Sequence, residues 1–370
     1  VHGFDPRGPA LLHAIQSEDA GRESARPDRT VVVGPRRRQP GASAWTVTTD
    51  WRDDETVQAD YVALRWDDLV RSRWDRSLTG QARGLAGWLA AYIRAGAFIP
   101  LATGSLTLSI AMLALPVAVV VFCLFCLIVA GVAAWGLAQL AAMSGLPPFF
   151  GLAAFALLLL APAAWRRFDG WANLCWLGRG HQHMVELSRG DIAGMDDRIG
   201  RFADRLLDEA ASGDRDDILV VGHSSGALHA VSMIGRAVRR RPDLGRAGSP
   251  LRLITLGHSI PPYAMLGPSG ADADALAALV EADWISWVDV TAAADPGAAG
   301  VWNPLRHSPF DARQDRVVRR LPRFHRALSP EAFRALKRDP MAYHFQYMRA
   351  SDHPDVYDWH RMAFGPGSVA

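Results

Sequence analysis

The spacing of apolar positions changes several times along the chain, and each change marks an element. Val1–Phe4 reads as the end of a strand, followed by the turn signal Asp5-Pro6-Arg7-Gly8. Leu11, Leu12 and Ile15 then fall on one side of a helix from Pro9 to Ser17. Thr30–Val33 is a short β-branched strand, and Tyr61–Trp66 a second, running into the charged stretch from Asp67 to Arg76. Between the strands, Pro35 to Ala44 is basic and rich in Pro and Gly, the pattern of a loop. Further on, Ile192, Met195, Ile199, Phe202 and Leu206 recur every three or four residues, as on one face of an amphipathic helix. Ser212-Gly213-Asp214 stops it. Ile218–Val221 is a wholly apolar run suited to a strand covered on both faces, and Leu253–Leu256 and Trp284–Val290 are two more strands with a helical stretch Ala271–Ala282 between them. Strands alternating with helices predict a mostly parallel α/β sheet covered by helices on both faces. A further strand is expected around Val317–Arg323, and no internal repeat is visible.

One region breaks the pattern. The 71 residues from Ala95 to Trp165 contain no Asp, Glu, Lys or Arg. About 20 apolar residues cross a bilayer, so this length holds two or three spans. The first lies within Leu106–Leu140 and the second in Phe149–Trp165, separated by the breaker Ser144-Gly145-Leu146-Pro147-Pro148 and stopped by Arg166 and Arg167. A buried hairpin in a soluble lid is the alternative, but soluble helices keep a polar face. The chain therefore divides into residues 1–94, the first part of a soluble domain; 95–165, a transmembrane hairpin partnered by the lipid bilayer; and 166–370, the rest of the soluble domain.

Composition adds limits. A net charge of +2 gives no field for nucleic acid. Lys337 is the only lysine, and arginine beside abundant alanine reads as a GC-rich bacterial coding bias. Of three cysteines, Cys123 and Cys126 lie in the apolar run and read as small hydrophobes, so no disulfide framework is implied. The chain opens at Val1 without a methionine, so a short preceding piece is expected, and no signal peptide pattern is visible. Oligomeric state is not legible.

Gly222-His223-Ser224-Ser225-Gly226 matches G-x-S-x-G between an apolar strand and a helix-compatible run. In that context Ser224 is the candidate nucleophile: small flanking residues admit a strained strand-to-helix turn, with Gly222 and Gly226 as its glycines. The Ser225 amide, at the helix start, is the candidate oxyanion donor. Gly257-His258-Ser259 also follows a strand, but Ile260 and Pro261 replace the small residues, so Ser259 reads as a loop residue near the pocket. A serine needs a base and the base an orienting acid, in chain order Ser, Asp or Glu, His. Asp295 follows a strand end and is the candidate acid, while Asp289 lies within the strand. His307, His325, His344, His353 and His360 remain as bases, with His344 favoured by its aromatic neighbours. His181-Gln182-His183 reads as a surface loop, since zinc sites take three or more ligands, and no metal is expected.

Together these segments resemble the α/β-hydrolase superfamily, nearest its lipase-like branches. The resemblance rests on Gly222–Gly226, Thr255-Leu256-Gly257, Ala294-Asp295-Pro296 and His344-Phe345-Gln346-Tyr347, and does not cover Ala95–Trp165. It implies cofactor-free hydrolysis of an ester, thioester or amide. It also implies that the turn at His2-Gly3-Phe4 supplies a second oxyanion donor, the Phe4 amide, with Asp5 or Arg7 at the rim. His2, Gly3, Asp5, His223 and His258 are then possible pocket residues. An inactive interaction protein of the same fold, or an acyltransferase with the same triad, are the alternatives. If Phe4 and Ser224 share a sheet, the crossings between them are even in number, so two spans are expected. Arg71, Arg73, Arg76, Arg83 and Arg94 precede the hairpin and Arg166, Arg167 and Arg179 follow it, which predicts a cytoplasmic soluble domain.

Overall fold

The computed structural model describes residues 1–52, 55–74, 77–268 and 270–366, so Arg76 lies outside the described residues. Helix α1 (Pro9–Ser24) leads into strands β1 (Arg29–Val33), β2 (Arg37–Gln39), β3 (Ala42–Trp51) and β4 (Thr56–Leu64). All four are antiparallel, with β3 pairing to each of the others. This sheet departs from the expectation that Pro35–Ala44 is a loop. That run holds β2 and the start of β3, turned at Pro40-Gly41, where Gln39 pairs with Ala42 and Gly41 has φ 67°. Proline presets the first turn position and glycine takes the left-handed second. Trp45, Val47, Thr49 and Trp51 alternate inward along β3.

The second sheet is parallel. Strands β5 (Ile218–His223), β6 (Leu251–Leu256), β7 (Ser286–Val290) and β8 (Val318–Arg320) lie in that order. The register sets Gly222 beside Thr255 and Thr255 beside Asp289, so the C-terminal strand ends form one edge. Val1–Phe4 forms no regular strand, yet the Val1 nitrogen donates to Val221 O (2.5 Å) and the His223 amide donates to Val1 O (3.0 Å). That is the bonding of a parallel neighbour on the outer edge of β5.

Strand pleat assigns alternate residues to opposite faces. Val220, Leu251, Leu253 and Trp287 join one core with residues of the helices Met195–Ala211, Gly226–Arg240 and Ala271–Glu281. Ile254, Leu256, Val288 and Val290 join another with α1, Trp45 and Val47 of the antiparallel sheet, and C-terminal aromatics such as Phe324 and Tyr347. The parallel sheet is thus covered on both faces, with the antiparallel sheet contributing to one cover.

Helix α2 (Leu78–Arg94) precedes the apolar region, whose first element is α3 (Leu106–Met143). At 1.5 Å per residue its 38 residues extend about 57 Å, nearly twice the roughly 30 Å hydrocarbon layer. The excess is used at its start. Thr107, Leu108, Ala111, Met112 and Leu115 pack into the soluble part, whereas Val120, Val121, Phe125, Ile128 and Val132 are exposed. The return, Pro148–Leu160, is a 3-10 helix continued by α4 (Ala161–Ala172). Thirteen residues at about 2.0 Å rise reach ~26 Å, so the tighter winding lengthens a segment that would be short as a pure α-helix. The two legs approach closely at Gly151, where a Cβ would sit 2.3 Å from Ala134 O. Two segments are therefore long and apolar enough to cross a membrane, and their most apolar windows are only 11% and 17% buried. A helix buried inside a soluble core would be covered instead.

Candidate functional site

Ser224 follows the last residue of β5 and has φ 58°, a left-handed conformation that non-glycine residues rarely adopt. The turn is held by the Ser224 amide donating to Leu256 O (2.9 Å) and the Ala227 amide donating to Ser224 O (3.0 Å). The next helix, α7 in chain order after α5 (Leu174–Ser188) and α6 (Met195–Ala211), spans Gly226–Arg240. The flanking glycines are sterically required. A Cβ at Gly222 would lie 2.6 Å from Ala227 Cα, and one at Gly226 2.4 Å from the carbonyl oxygens of both Val1 and His2. Strain of this kind persists only where surrounding structure enforces it, and it collects at functional sites. The rival Ser259 has φ −118° and precedes a five-residue helix, Ile260–Ala264. That short helix starts at Ile260 without the strained left-handed turn seen at Ser224.

The N-terminal turn abuts the serine. A Cβ on Gly3 would lie 2.7 Å from Ser224 Cβ, so Gly3 lets the backbone of His2-Gly3-Phe4 reach the hydroxyl. Among the described residues, the Phe4 and Ser225 amides donate to no protein acceptor. Both residues line a cavity of about 50 Å³ together with Ser224 and Ser259.

Asp295 is fully buried in the loop after β7 and its carboxylate is saturated with donors. His344 Nδ1 lies 2.8 Å from Oδ2 and 3.0 Å from Oδ1, the Tyr347 hydroxyl donates to Oδ2 (2.8 Å) and the Gly297 amide donates to Oδ1 (2.8 Å). Tyr347 also accepts from the Ala292 amide (2.9 Å), which ties the acid loop to the histidine segment. Burial and the adjacent Asp295 hold the Tyr347 phenol well above its usual range, so it acts as a donor. His344 packs edge-on against Trp176 and beside His223, whose Nε2 bonds to His344 O (2.8 Å). The carboxylate fixes Nδ1 and leaves Nε2 as the basic nitrogen. Nε2 has no partner in this structure, and Ser224 and His344 are not hydrogen-bonded to each other. Nucleophile–base contacts of this type are commonly open before substrate binds.

Other candidates have different places. Asp289 is buried within β7 and accepts from Thr255 (2.8 Å) and Thr291 (3.2 Å), a strand-pairing role. His258 bonds to Trp302 O (3.2 Å) and stands 3.5 Å from Asp289, outside the cavity wall. His2 stacks on Trp66, and Asp5 is bound by Arg7, so neither lines the cavity. His223 supports His344 from beneath. His325 and His353 are exposed, and His360 faces Thr49 of the antiparallel sheet. His307 sits against Trp302. His181-Gln182-His183 is no surface loop: it lies within α5, with both imidazoles buried. Among the described residues no cluster of three metal-ligating side chains occurs.

Sequence reasoning missed two contributors. Tyr347 anchors the acid, and the start of the apolar hairpin, Leu108, Ala111 and Met112, forms one wall of the cavity opposite Trp176, Leu177 and Met184 of α5. Thr107 of α3 donates to Ala293 O, two residues before Asp295. The base of the hairpin is thus built into the site.

Behind Phe4, the rings of His2, His183 and His229 surround Trp66 at 4.6–5.4 Å. Desolvation lowers His2 and His229 to about 4 and holds His183 well below its usual value. The unfolded chain binds these protons near pH 6.5, the folded one near pH 4 at His2 and His229 and well below the usual value at His183. Stability from them is complete above pH 6.5 and is lost as pH falls toward 4, by about 1.4 kcal/mol per unit per fully coupled histidine. A melting temperature that drops progressively from pH 7 to pH 5 in detergent is expected. A constant one contradicts neutral burial.

Comparison with protein-family models, curated protein sequences and solved structures finds no match to this chain.

Proposed function

We propose that the protein is a membrane-anchored serine hydrolase of α/β-hydrolase type, acting on a carboxylic ester with an apolar acyl group. Ser224 attacks the carbonyl, His344 Nε2 takes its proton, Asp295 stabilises the resulting imidazolium, and the Phe4 and Ser225 amides receive the oxyanion. His344 then returns the proton to the leaving alcohol, and water repeats the sequence on the acyl-enzyme. The observation that carries this reading is the conjunction of a left-handed Ser224 with two unengaged amides beside it. The buried Asp295–His344 pair at the same strand edge supports it. The apolar wall contributed by α3, which continues into the exposed apolar helix, supports an apolar acyl group. With two crossings and arginines on both flanks, we place the soluble domain in the cytoplasm.

One observation favours a second reading, a non-catalytic member of the same fold: the open Ser224–His344 contact. A fluorophosphonate probe separates them. Wild type labels and Ser224→Ala does not if the triad works. Absent labelling of wild type, in a chain that melts cooperatively, supports the non-catalytic reading.

A further inference from the structure

The α5 helix has two working faces. Trp176, Leu177, Gly180 and Met184 face the Ser224 cavity, while Arg179, Gln182 and Glu186 face a separate groove against α2. That groove has a volume of about 310 Å³, six times the cavity beside Ser224. On α2 it is bordered by Gly80, Gly84 and Gly87, spaced four and three apart and therefore on one helix face. At Gly84 the Gln182 side-chain amide packs directly on the α2 backbone, where a Cβ would meet Oε1 at 2.2 Å.

Its charge is one-sided. Among the described residues that line it are Arg73, Arg83, Arg179 and Arg189, with a single carboxylate, Glu186. Both oxygens of that carboxylate are engaged, Oε2 by Arg73 (2.5 Å) and Oε1 by Gln182 Nε2 (2.9 Å). Arg179 lies over the Trp74 ring at 4.7 Å, and Arg83 and Arg189 are exposed at the rim. Arg73 is held by Glu186 and by Asp191 O (2.9 Å) and Arg83 Nε donates to Thr79 O (3.3 Å), so the remaining guanidinium N–H groups lining the groove are what would suit a phosphate, which accepts paired N–H bonds.

The groove also has a position. Leu85 of α2 and Leu174 of α5 pack with Leu115, Val119, Phe122 and Trp165 at the base of the hairpin. Arg179 is five residues along α5 from Leu174, about 8 Å from that apolar junction. This is headgroup depth for a lipid surrounding the hairpin.

We infer that the α2–α5 groove binds a phosphate-bearing anion, either the headgroup of an anionic phospholipid or a soluble phosphate compound. The site stands apart from Ser224 and does not depend on the hydrolase reading. The test uses the full chain in phosphatidylcholine nanodiscs, with phosphatidylglycerol added to the disc in one arm and inorganic phosphate to the buffer in the other. Bound lipid is counted by native mass spectrometry, and phosphate by the shift in melting temperature. Wild type should retain phosphatidylglycerol at least about tenfold better than the variant Arg83→Gln/Arg189→Gln, since tenfold is the effect of losing one charge-assisted contact and the variant removes two guanidinium groups. The variant Arg239→Gln/Arg240→Gln, with the same charge change on the distant helix α7, should behave as wild type. Retention only of lipid assigns the headgroup. A phosphate-induced rise in melting temperature, absent from the rim variant, assigns the soluble ligand. Equal behaviour of both variants in both arms overturns the site.

Discussion

Ser224→Ala is expected to lower hydrolysis of a short p-nitrophenyl ester by about 10⁵- to 10⁶-fold, with little change in melting temperature. Alanine removes only the oxygen that forms the acyl bond. It leaves the amides of Phe4 and Ser225, which by themselves retain a modest acceleration over water. The fold should tolerate the change because Ser224 Oγ carries no hydrogen bond that holds the turn; its backbone does, through Leu256 O and Ala227 N. The left-handed φ of 58° is strained for alanine as for serine, so the substitution neither relieves nor adds strain there. A variant retaining a tenth of wild-type turnover would show that another residue attacks.

The second large effect is at Asp295. Asp295→Asn is expected to cut kcat by about 10⁴-fold while leaving labelling by the most reactive phosphonates detectable but slow. The carboxylate accepts from His344 Nδ1, Tyr347 and the Gly297 amide. An asparagine amide turned toward His344 donates instead, which forces the proton onto Nε2 and removes the base. Turned the other way, it keeps an oxygen toward His344 and Tyr347 but sets its N–H against the Gly297 amide. Tyr347→Phe gives a milder comparison, since it removes one donor and leaves the tautomer intact. A loss near tenfold is expected there, together with an upward move of the acid limb of the kcat/KM profile. The move follows because the freed carboxylate charge then falls more fully on His344. An unmoved limb with the same loss would mean that Tyr347 only packs.

These effects trace to features with very unequal visibility in the sequence. The turn at Ser224 was legible because its constraint is steric and local. Gly222 and Gly226 stand where a Cβ would meet backbone atoms. The apolar runs of β5, β6 and β7 were legible because a strand covered on both faces has no polar face to confuse with a helix. Of the antiparallel sheet, β1 and part of β4 show as strand runs, but the β2–β3 hairpin does not, because Arg36, Arg37, Arg38 and the Pro40-Gly41 turn give it the composition of a loop. Only the pairing of Gln39 with Ala42 reveals it.

The hairpin was read correctly as apolar and two-legged, but its role was underestimated. A sequence with no charge from Ala95 to Trp165 carries no mark where contact with the rest of the chain ends and the exposed apolar surface begins. The first turns of α3, which wall the cavity, therefore look like the rest of the span. His181 and His183 were misplaced for a related reason. The buried positions of α5 mix Cys175, Gly178, His181, His183 and Met184 with only Val185 and Leu187 as aliphatic residues, so helical periodicity is hidden. In each case the missing information was which neighbour covers a residue, and a single chain read in order does not contain it.

The account stands on one chemical identity, that of the nucleophile. Diisopropyl fluorophosphate treatment of the detergent-solubilised full chain, followed by peptide mass mapping, reports it directly. The prediction is one adduct, on Ser224, abolished by prior incubation with an acyl ester substrate analogue. An adduct on Ser259, which lines the same cavity, or no adduct on the folded chain, would contradict it.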